Sequence, residues 1–220
     1  MKRASVHTDD VASDAHTVDR SLIEWGVAGR AFDGESESGD QYLIESFANG
    51  ALVVVVDGLG HGPRAAAAAK AAIAALDGYT QGSVSLLLKK CHDALRRTRG
   101  VVMSLASFDI GGTMTWLGVG NVKGLLLYQD EHRHFKRERL LLRGGVVGYN
   151  LPTLRPATVN VRPGDTLILA TDGLCSVFAE ELTMGDYPQQ MADTIMEQYR
   201  RGTDDALVLV ARYVGPSQGA

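Results

Sequence analysis

Short runs of hydrophobic residues alternate with polar turns over most of the chain, a pattern typical of β-strands. The run at 52–56 is apolar at every position, which indicates a strand buried on both faces. Asn49 with Gly50, and the segment at 162–165, are turn signals between neighbouring strands. The pattern predicts strands at 22–32, 41–47, 52–56, 101–109, 113–119, 124–129, 140–142, 158–161, 166–170 and 206–214.

Three segments have a helical pattern instead. Residues 64–76 are rich in alanine, the best helix former, and Pro63 stands at the first helical position, where its missing amide hydrogen is not needed. A second helix is predicted at 83–99, with Ser83 as its N-cap and Gly100 as its stop. A third is predicted at 188–199. Strands that follow one another without intervening helices favour mostly antiparallel sheets with helices packed outside, the α+β class.

The chain has 220 residues, 45% of them hydrophobic, and a formal net charge of −4. This composition suits one globular domain and excludes a fully disordered chain. The mild acidity opposes a broad nucleic-acid-binding surface. Residues 1–20 contain no Leu, Ile or aromatic residue, so we predict a disordered tail there, a single domain at 21–214 and a short C-terminal tail at 215–220.

The cysteine count and the lengths of the apolar runs bear on the cellular compartment. Cys91 and Cys175 are far apart, and no Cys-x-x-Cys pair occurs, so neither a disulfide framework nor a zinc site is predicted. No apolar run approaches the roughly 18 residues of a membrane span. The N-terminus lacks the apolar core of a secretory signal. These observations predict a cytoplasmic protein with reduced thiols and no membrane partner.

Acidic residues stand at the ends of four predicted strands: Asp40, Asp57, Asp172, and the pair Asp204 and Asp205. If these ends meet, several carboxylates share one place and need a cation to stay ionised. A donor set made only of oxygens favours Mg²⁺ or Mn²⁺ over Zn²⁺. The alternative is ordinary turn chemistry, because Asp beside Gly is common at a strand end. The residues alone leave both interpretations open.

Five motifs occur in order: Ser-Gly-Asp at 38–40, VVVVDGLGHG at 53–62, Gly-Gly-Thr at 111–113, LILATDGL at 167–174 and TDDALVLVA at 203–211. Together they resemble the metal-dependent serine/threonine phosphatases of the protein phosphatase 2C (PPM) superfamily, and more closely its bacterial SpoIIE-like and RsbX-like stress-response branch. The resemblance covers roughly residues 22–213. It implies an α-β-β-α four-layer sandwich of two mostly antiparallel sheets flanked by helices.

The resemblance also implies a centre with two Mn²⁺ or Mg²⁺ ions, in which a metal-activated water attacks phosphorus without a covalent phosphoenzyme. Asp57 would bridge the ions, and we predict it as a catalytic residue. Of the adjacent pair, Asp204 is the preferred metal ligand and Asp205 the second choice. The residues that the motifs assign to metal binding are Asp40, Asp57, Gly58, Asp172, Asp204 and Asp205.

A leaving alkoxide is helped by a general acid. Many relatives in the superfamily place His directly after the Asp-Gly pair, but this chain has Leu59 there and a histidine two residues later, His61. We predict His61 as a catalytic acid or phosphate-orienting residue; the alternative is a helix-start residue that never touches substrate. Arg30 and Arg64 are candidate phosphate contacts. Leu207 stands where relatives usually have a hydroxyl residue, which leaves the carboxylates intact.

The predicted function is dephosphorylation of regulatory proteins in a bacterial stress-signalling pathway. The resemblance implies phosphorylated STAS-domain partners of the stressosome or anti-anti-sigma type, and no nucleic acid. Two alternatives are a catalytically silent binding module with the same fold and a hydrolase of another phosphoester. The basic segment at 132–143 is expected to be a solvated hairpin, and the glycine-rich turn at 144–148 lies, by resemblance, near substrate.

Overall fold

The computed structural model describes residues 22–78, 82–182, 185 and 187–216. The predicted tail at 1–20, and residues 217–220 of the predicted C-terminal tail, lie outside the described residues. The elements are β1 (Ile23–Arg30), β2 (Asp40–Phe47), β3 (Gly50–Gly58), α1 (Pro63–Leu76), α2 (Val84–Ala94), β4 (Val101–Asp109), β5 (Thr113–Val119), β6 (Lys123–Gln129), β7 (Phe135–Arg139), β8 (Ala157–Asn160), β9 (Thr166–Ala170), α3 (Phe178–Glu181), α4 (Pro188–Tyr199) and β10 (Ala206–Tyr213).

The strands form two five-stranded sheets, one in the order β2-β3-β4-β5-β8 and the other in the order β1-β10-β9-β6-β7. The neighbouring strands in both sheets pair antiparallel. One apolar layer lies between the sheets, a second between the first sheet and α1 and α2, and a third between the second sheet and α3 and α4. The predicted α+β class and the α-β-β-α sandwich are confirmed.

The apolar run at the centre of the first sheet explains this layering. Because side chains alternate along a strand, Val53 and Val55 of β3 face the other sheet, while Val54 and Val56 face the helices. All four are fully buried, as the unbroken apolar pattern predicts. Small side chains let α1 lie close to β3: a Cβ on Gly58 would meet the helix backbone at 2.2 Å. That close approach requires glycine.

The helix predicted at 83–99 is shorter in the structure, because α2 ends at Ala94. Thr98 Oγ1 donates to the carbonyl oxygen of Leu95 at 2.8 Å and accepts the amide hydrogen of Gly100 at 3.0 Å. A threonine hydroxyl that bonds locally to the backbone offers it an alternative to the helical pattern. The last predicted turn therefore becomes a tight loop into β4.

The predicted strand at 140–142 is wrong. The amide of Leu140 donates to the carbonyl oxygen of Gly124 in the second sheet, whereas the amide of Arg143 donates to that of Gly118 in the first. The chain crosses between the two sheets here, so no strand can pair along it. The leucines look like a strand because the crossing segment is partly buried. The pattern missed β7, whose sequence FKRER is mostly charged, and α3, which is only four residues long.

The antiparallel pairing collects particular strand ends at one edge of the sandwich, which we call the acidic end. It contains the end of β1, the start of β2, the ends of β3 and β9, and the start of β10. The opposite edge, the distal end, contains the turns that follow β2, β4 and β6 and precede β9. None of the described helices is long and apolar enough to cross a membrane.

Candidate functional site

The predicted aspartates gather at the acidic end. Asp40 and Asp57 are direct partners across β2 and β3. Asp172 follows β9, and Asp204 and Asp205 lead into β10, which pairs with β9. The charges of Asp172 and Asp205 act on both Asp40 and Asp57, and that of Asp204 acts on Asp57. The structure therefore brings all five into one neighbourhood, although they are up to 165 residues apart in sequence (205 − 40).

Asp40 is almost fully buried, at 1% exposure. Its Oδ2 accepts a hydrogen bond from Thr171 Oγ1 at 2.8 Å. Its Oδ1 is buried and, within the described residues, has no hydrogen-bond partner. Burial and the negative charge of Asp57 raise the pKa of Asp40 well above its ordinary value, while the Thr171 hydrogen bond opposes the shift. An unpaired buried carboxylate oxygen is costly, so this atom indicates a missing positive partner.

Asp57 lies at the end of β3, beside Gly58. Burial, followed by the charges of Asp172, Asp204 and Asp205, raises the pKa of Asp57 to about 8. No cation among the causes offsets these effects. The carboxylates are held together by the fold rather than by mutual attraction, since like charges oppose ionisation of the whole set.

Asp172 and Asp204 are held by polar neighbours. Asp172 Oδ2 accepts a hydrogen bond from the side-chain amide of Asn121 at 2.7 Å. Asp204 Oδ1 accepts the amide hydrogen of Asp205 at 2.9 Å. Burial raises the pKa of Asp204, the Asp205 amide lowers it, and the charges of Asp172 and Asp205 raise it further. The sequence pattern did not reveal Asn121, because a lone asparagine after a strand is also an ordinary turn residue.

Asp205 faces the loop between β1 and β2. Its Oδ1 accepts the amide hydrogen of Phe32 and its Oδ2 that of Gly39, both at 2.8 Å. It is 4% exposed. Both carboxylate oxygens are thus engaged with backbone amides, so Asp205 fixes the segment that leads into Asp40. Asp204 is less buried, and within the described residues its carboxylate accepts one hydrogen bond, so more of its oxygen lone pairs stay available than those of Asp205.

His61 stands in the exposed loop before α1, where its side chain is 55% exposed. Its Nδ1 is 2.6 Å from Glu35 Oε1, and its ring lies 5.2 Å from that of Phe32. Its charge contributes to the environment of Asp204, which places it at the rim of the acidic cluster. Glu35 lies in the polar turn between β1 and β2, and nothing in that turn's sequence distinguishes it from its neighbours.

The two predicted arginine contacts are less well placed. Arg30 ends β1 and donates to the carbonyl oxygen of its neighbour Gly29 at 3.0 Å. Arg64 is exposed at the start of α1. Within the described residues, neither forms an ion pair with the aspartates. Among the described residues, the structure therefore shows no ion pair that ties either arginine to the acidic cluster.

The donor set fits hard divalent cations. All the clustered side chains offer oxygen, and Asp40 Oδ1 lacks a partner among the described residues. No group of three or more His, Cys, Asp or Glu in the described ranges already converges tightly on one point. Mg²⁺ is usually bound by only one or two carboxylates and keeps several waters, so a spread of carboxylates suits it better than a closed cage.

A family model for Stage II sporulation protein E (SpoIIE) matches residues 48–214. Comparison with curated proteins gives no significant match. One of the similar solved structures comes from work on the bacterial stressosome as a modular system that controls secondary-messenger signalling. Its sequence is 30% identical to this chain, and the match covers 86% of this chain and 99% of the other, with a TM-score of 0.75.

Two further structures share the fold. RsbX in complex with magnesium is 20% identical, with 91% of this chain and 99% of that one covered and a TM-score of 0.79. The catalytic domain of the serine/threonine protein phosphatase PstP, in complex with two manganese ions, is 19% identical. The match covers 87% of this chain and 98% of the PstP domain, with a TM-score of 0.65. The ions in these structures agree with the predicted Mg²⁺ or Mn²⁺. The chain thus belongs to the SpoIIE family of PPM-type, metal-dependent serine/threonine phosphatases.

Proposed function

We propose that this protein removes phosphate from serine or threonine side chains of regulatory proteins in a bacterial stress-signalling pathway. One observation carries the proposal: five aspartates gather at the acidic end, and the pKa of Asp57 rises there to about 8 because burial and three of the other carboxylates oppose its ionisation. Such a site holds its charge at neutral pH only when cations compensate it. In this family, a centre that binds metal cations and phosphate is the active site of a phosphatase.

We further propose that two Mn²⁺ or Mg²⁺ ions are held by the carboxylates of Asp40, Asp57, Asp172 and Asp204 and by the Gly58 carbonyl. When bound, such ions polarise the phosphoryl group and increase the acidity of water. Thr171 and Asn121 orient two of the carboxylates through their hydrogen bonds. In this proposal Asp205 is a positioning residue, since its oxygens hold the loop that precedes Asp40.

The proposed general acid is His61. Its Nδ1 bonds to Glu35, which leaves Nε2 to donate a proton to the departing serine or threonine oxygen. A carboxylate bonded to Nδ1 fixes the tautomer and orientation of the ring. Glu35 therefore acts through His61 as a positioning residue.

The proposed substrates are phosphorylated STAS-domain proteins of the stressosome or anti-anti-sigma type. The support is the 30% identity to a protein solved in work on the bacterial stressosome, over 86% of this chain. The net charge of −4 gives no support to a nucleic-acid partner. On the support of the same stressosome-related structure, we extend the proposal to a cytoplasmic enzyme.

The test measures inorganic phosphate released by the full chain from a serine-phosphorylated STAS-domain protein, with Mn²⁺, with Mg²⁺ and after chelation. We expect release that requires a divalent ion and stops on chelation. Release that survives chelation would contradict the proposed centre. Release from small phosphoesters alone would favour a different phosphoester substrate, and binding without release would favour a catalytically silent module.

A further inference from the structure

A groove runs along the second sheet away from the acidic end. It has a volume of about 410 Å³ and lies between β6, the end of β7 and α3. Lys123 lines its inner end and pairs with Ala170, two residues before Asp172. Asn121, two residues before Lys123, holds Asp172 through its side-chain amide. The groove therefore begins directly beside the acidic cluster.

The floor and one wall of this groove are apolar. Leu125, Leu140 and Phe178 are buried beneath it, and Leu142 is partly buried. Val177 forms part of the wall with 46% of its surface exposed. An aliphatic side chain that entered here would cover the exposed part of Val177 and the partly buried Leu142, and such burial is favourable.

The inner end of the groove is positively charged. Lys123 lines this end, and the nearby Arg201, whose side chain bonds to that of Cys175, acts on it electrostatically. Burial and the charge of Arg201 lower the pKa of Lys123. Within the described residues, neither Lys123 nor Arg201 forms an ion pair with a carboxylate. The charge of Asp172 also acts on Lys123, but from beyond ion-pair distance. Two neighbouring cations without a direct ion pair among the described residues favour an anionic group from outside the chain.

At its outer end the groove is bordered by an exposed ion pair. Arg139 of β7 lies 3.6 Å from Glu180 of α3, and both side chains are more than 60% exposed. Arg137 donates to the carbonyl oxygens of Glu180 and Leu182, so it ties α3 to the sheet. The walls are thus held in place, while Arg139 is free to exchange its exposed partner at little cost.

We propose that this groove, the β6–α3 groove, binds the segment that flanks the phosphorylated residue of a protein substrate, and that this segment carries an aliphatic residue and acidic side chains. The proposal rests on the phosphatase function and deepens it. An extended segment advances about 3.3 Å per residue, so a residue within a few positions of the phosphoserine reaches the groove. The aliphatic residue would fill the floor, and the acidic side chains would pair with Lys123, Arg201 and Arg139.

The test compares two phosphoserine peptides of equal length, one flanked by leucine and aspartate and the other by serine and lysine. With the Mn²⁺-loaded full chain, we expect kcat/KM for the acidic peptide to be about tenfold higher. Val177→Glu should remove most of this preference. Arg139→Glu should reduce kcat/KM for the acidic peptide about threefold and raise it for the lysine peptide.

Matched controls are available on α2 and just beyond its end. Leu86 is 67% exposed, and Arg96 is 66% exposed and pairs with Asp93 at 3.4 Å. Leu86→Glu and Arg96→Glu therefore introduce the same charges away from the groove and should leave both peptide rates unchanged. Turnover of p-nitrophenyl phosphate should be the same in all four variants, because this small ester does not reach the groove.

The outcomes separate the two proposals. If no phosphoester is hydrolysed with any ion, the phosphatase function itself fails. If both peptides are hydrolysed equally and the groove variants match their controls, the groove proposal is overturned while the function stands. If the groove variants change the elution volume of the protein but not the peptide rates, a second copy of the chain occupies the groove, and the substrate proposal is again overturned.

Discussion

The two ends of the sandwich use aspartate in opposite ways. At the distal end, two aspartates bind backbone amides within four residues of themselves: Asp109 accepts from Gly111, and Asp130 accepts from His132 and His134. At the acidic end, Asp40 accepts from Thr171, which is 131 residues away, and Asp172 accepts from Asn121, 51 residues away. The first arrangement closes a turn, whereas the second depends on the whole fold.

The electrostatics differ in the same way. The backbone amides of His134 and His132 lower the pKa of Asp130, whereas burial and three carboxylates raise the pKa of Asp57 to about 8. The pKa of Asp165, at the distal end, is subject to both kinds of effect. Burial raises its pKa, but the amide and the charge of Arg162 oppose the shift and no carboxylate adds to it. A buried aspartate is therefore not unusual in this molecule; a buried group of them is.

The largest expected effect tests whether the two ends differ in function. Asp57→Asn should reduce Mn²⁺-dependent phosphate release about a thousandfold or more, because it removes the carboxylate at the centre of the proposed ion site. Asp109→Asn makes the same chemical change at the distal end and should alter the rate less than about twofold. Equal rates in the two variants would remove the functional distinction between the ends.

The next effect separates two neighbours within the acidic end. Asp204→Asn should weaken Mn²⁺ binding about tenfold or more, as measured by titration of activity against free ion, with little change in melting temperature. Asp205→Asn should lower the free energy of unfolding by about 1.5–3 kcal/mol, because one of two charge-assisted bonds to backbone amides is lost. The reverse result would make Asp205 the ligand.

A smaller effect concerns the rim of the acidic end. Glu35→Gln should lower kcat about tenfold by weakening the orientation of His61, and His61→Gln should lower it at least as much. Glu37→Gln is the control: Glu37 lies in the same loop but pairs with Lys70 at 2.8 Å. If His61 donates a proton, the alkaline limb of the kcat–pH profile should disappear in His61→Gln. An unchanged profile would leave His61 outside the chemistry.

The last prediction concerns the pH dependence of stability in the chelated protein. The pKa of Asp57 is about 8 in the fold and about 3.9 in an unfolded chain, so the folded state holds the proton over that interval. Stability from this group is full below about pH 4 and falls as the pH rises towards 8. The melting temperature should therefore fall between pH 5 and 8, and Asp57→Asn should flatten the fall.

Asp130→Asn is the control for that measurement, because the fold lowers the pKa of Asp130 whereas it raises that of Asp57. Because backbone amides lower the pKa of Asp130 in the fold, its contribution is complete above pH 4 and is lost only in stronger acid. The variant should therefore follow the parent protein between pH 5 and 8. Added Mn²⁺ should raise the melting temperature of the parent protein at pH 8 more than that of Asp57→Asn, which lacks one of the proposed ligands.

Much of the fold could be predicted because its signals are local. The strands β4, β5 and β9 and the helix α4 match their predicted bounds, since each is a continuous pattern ended by turn residues. The errors have a tertiary origin. Residues 140–142 cross between sheets, β7 is a charged edge strand, and Thr98 draws the end of α2 into a loop.

The candidate site, too, could be predicted only where its signals are local. Strand-end positions and motifs identified the aspartates, but not their supports. Thr171, Asn121 and Glu35 are ordinary polar residues in sequence, and each becomes relevant only because the fold brings it within 2.8 Å of a site residue. The separation of Asp204 from Asp205 likewise depends on two backbone amides that belong to a distant loop.

The sequence by itself determined the family, the fold class and the positions of the acidic residues, because these are encoded in local hydrophobic pattern and in motif order. Only the tertiary structure decided that the aspartates meet, which of them is tied to the backbone, and that Asp40 keeps one buried oxygen without a partner among the described residues. Those properties arise from burial and from distances between residues far apart in the chain. Neither quantity exists until the two sheets pack together.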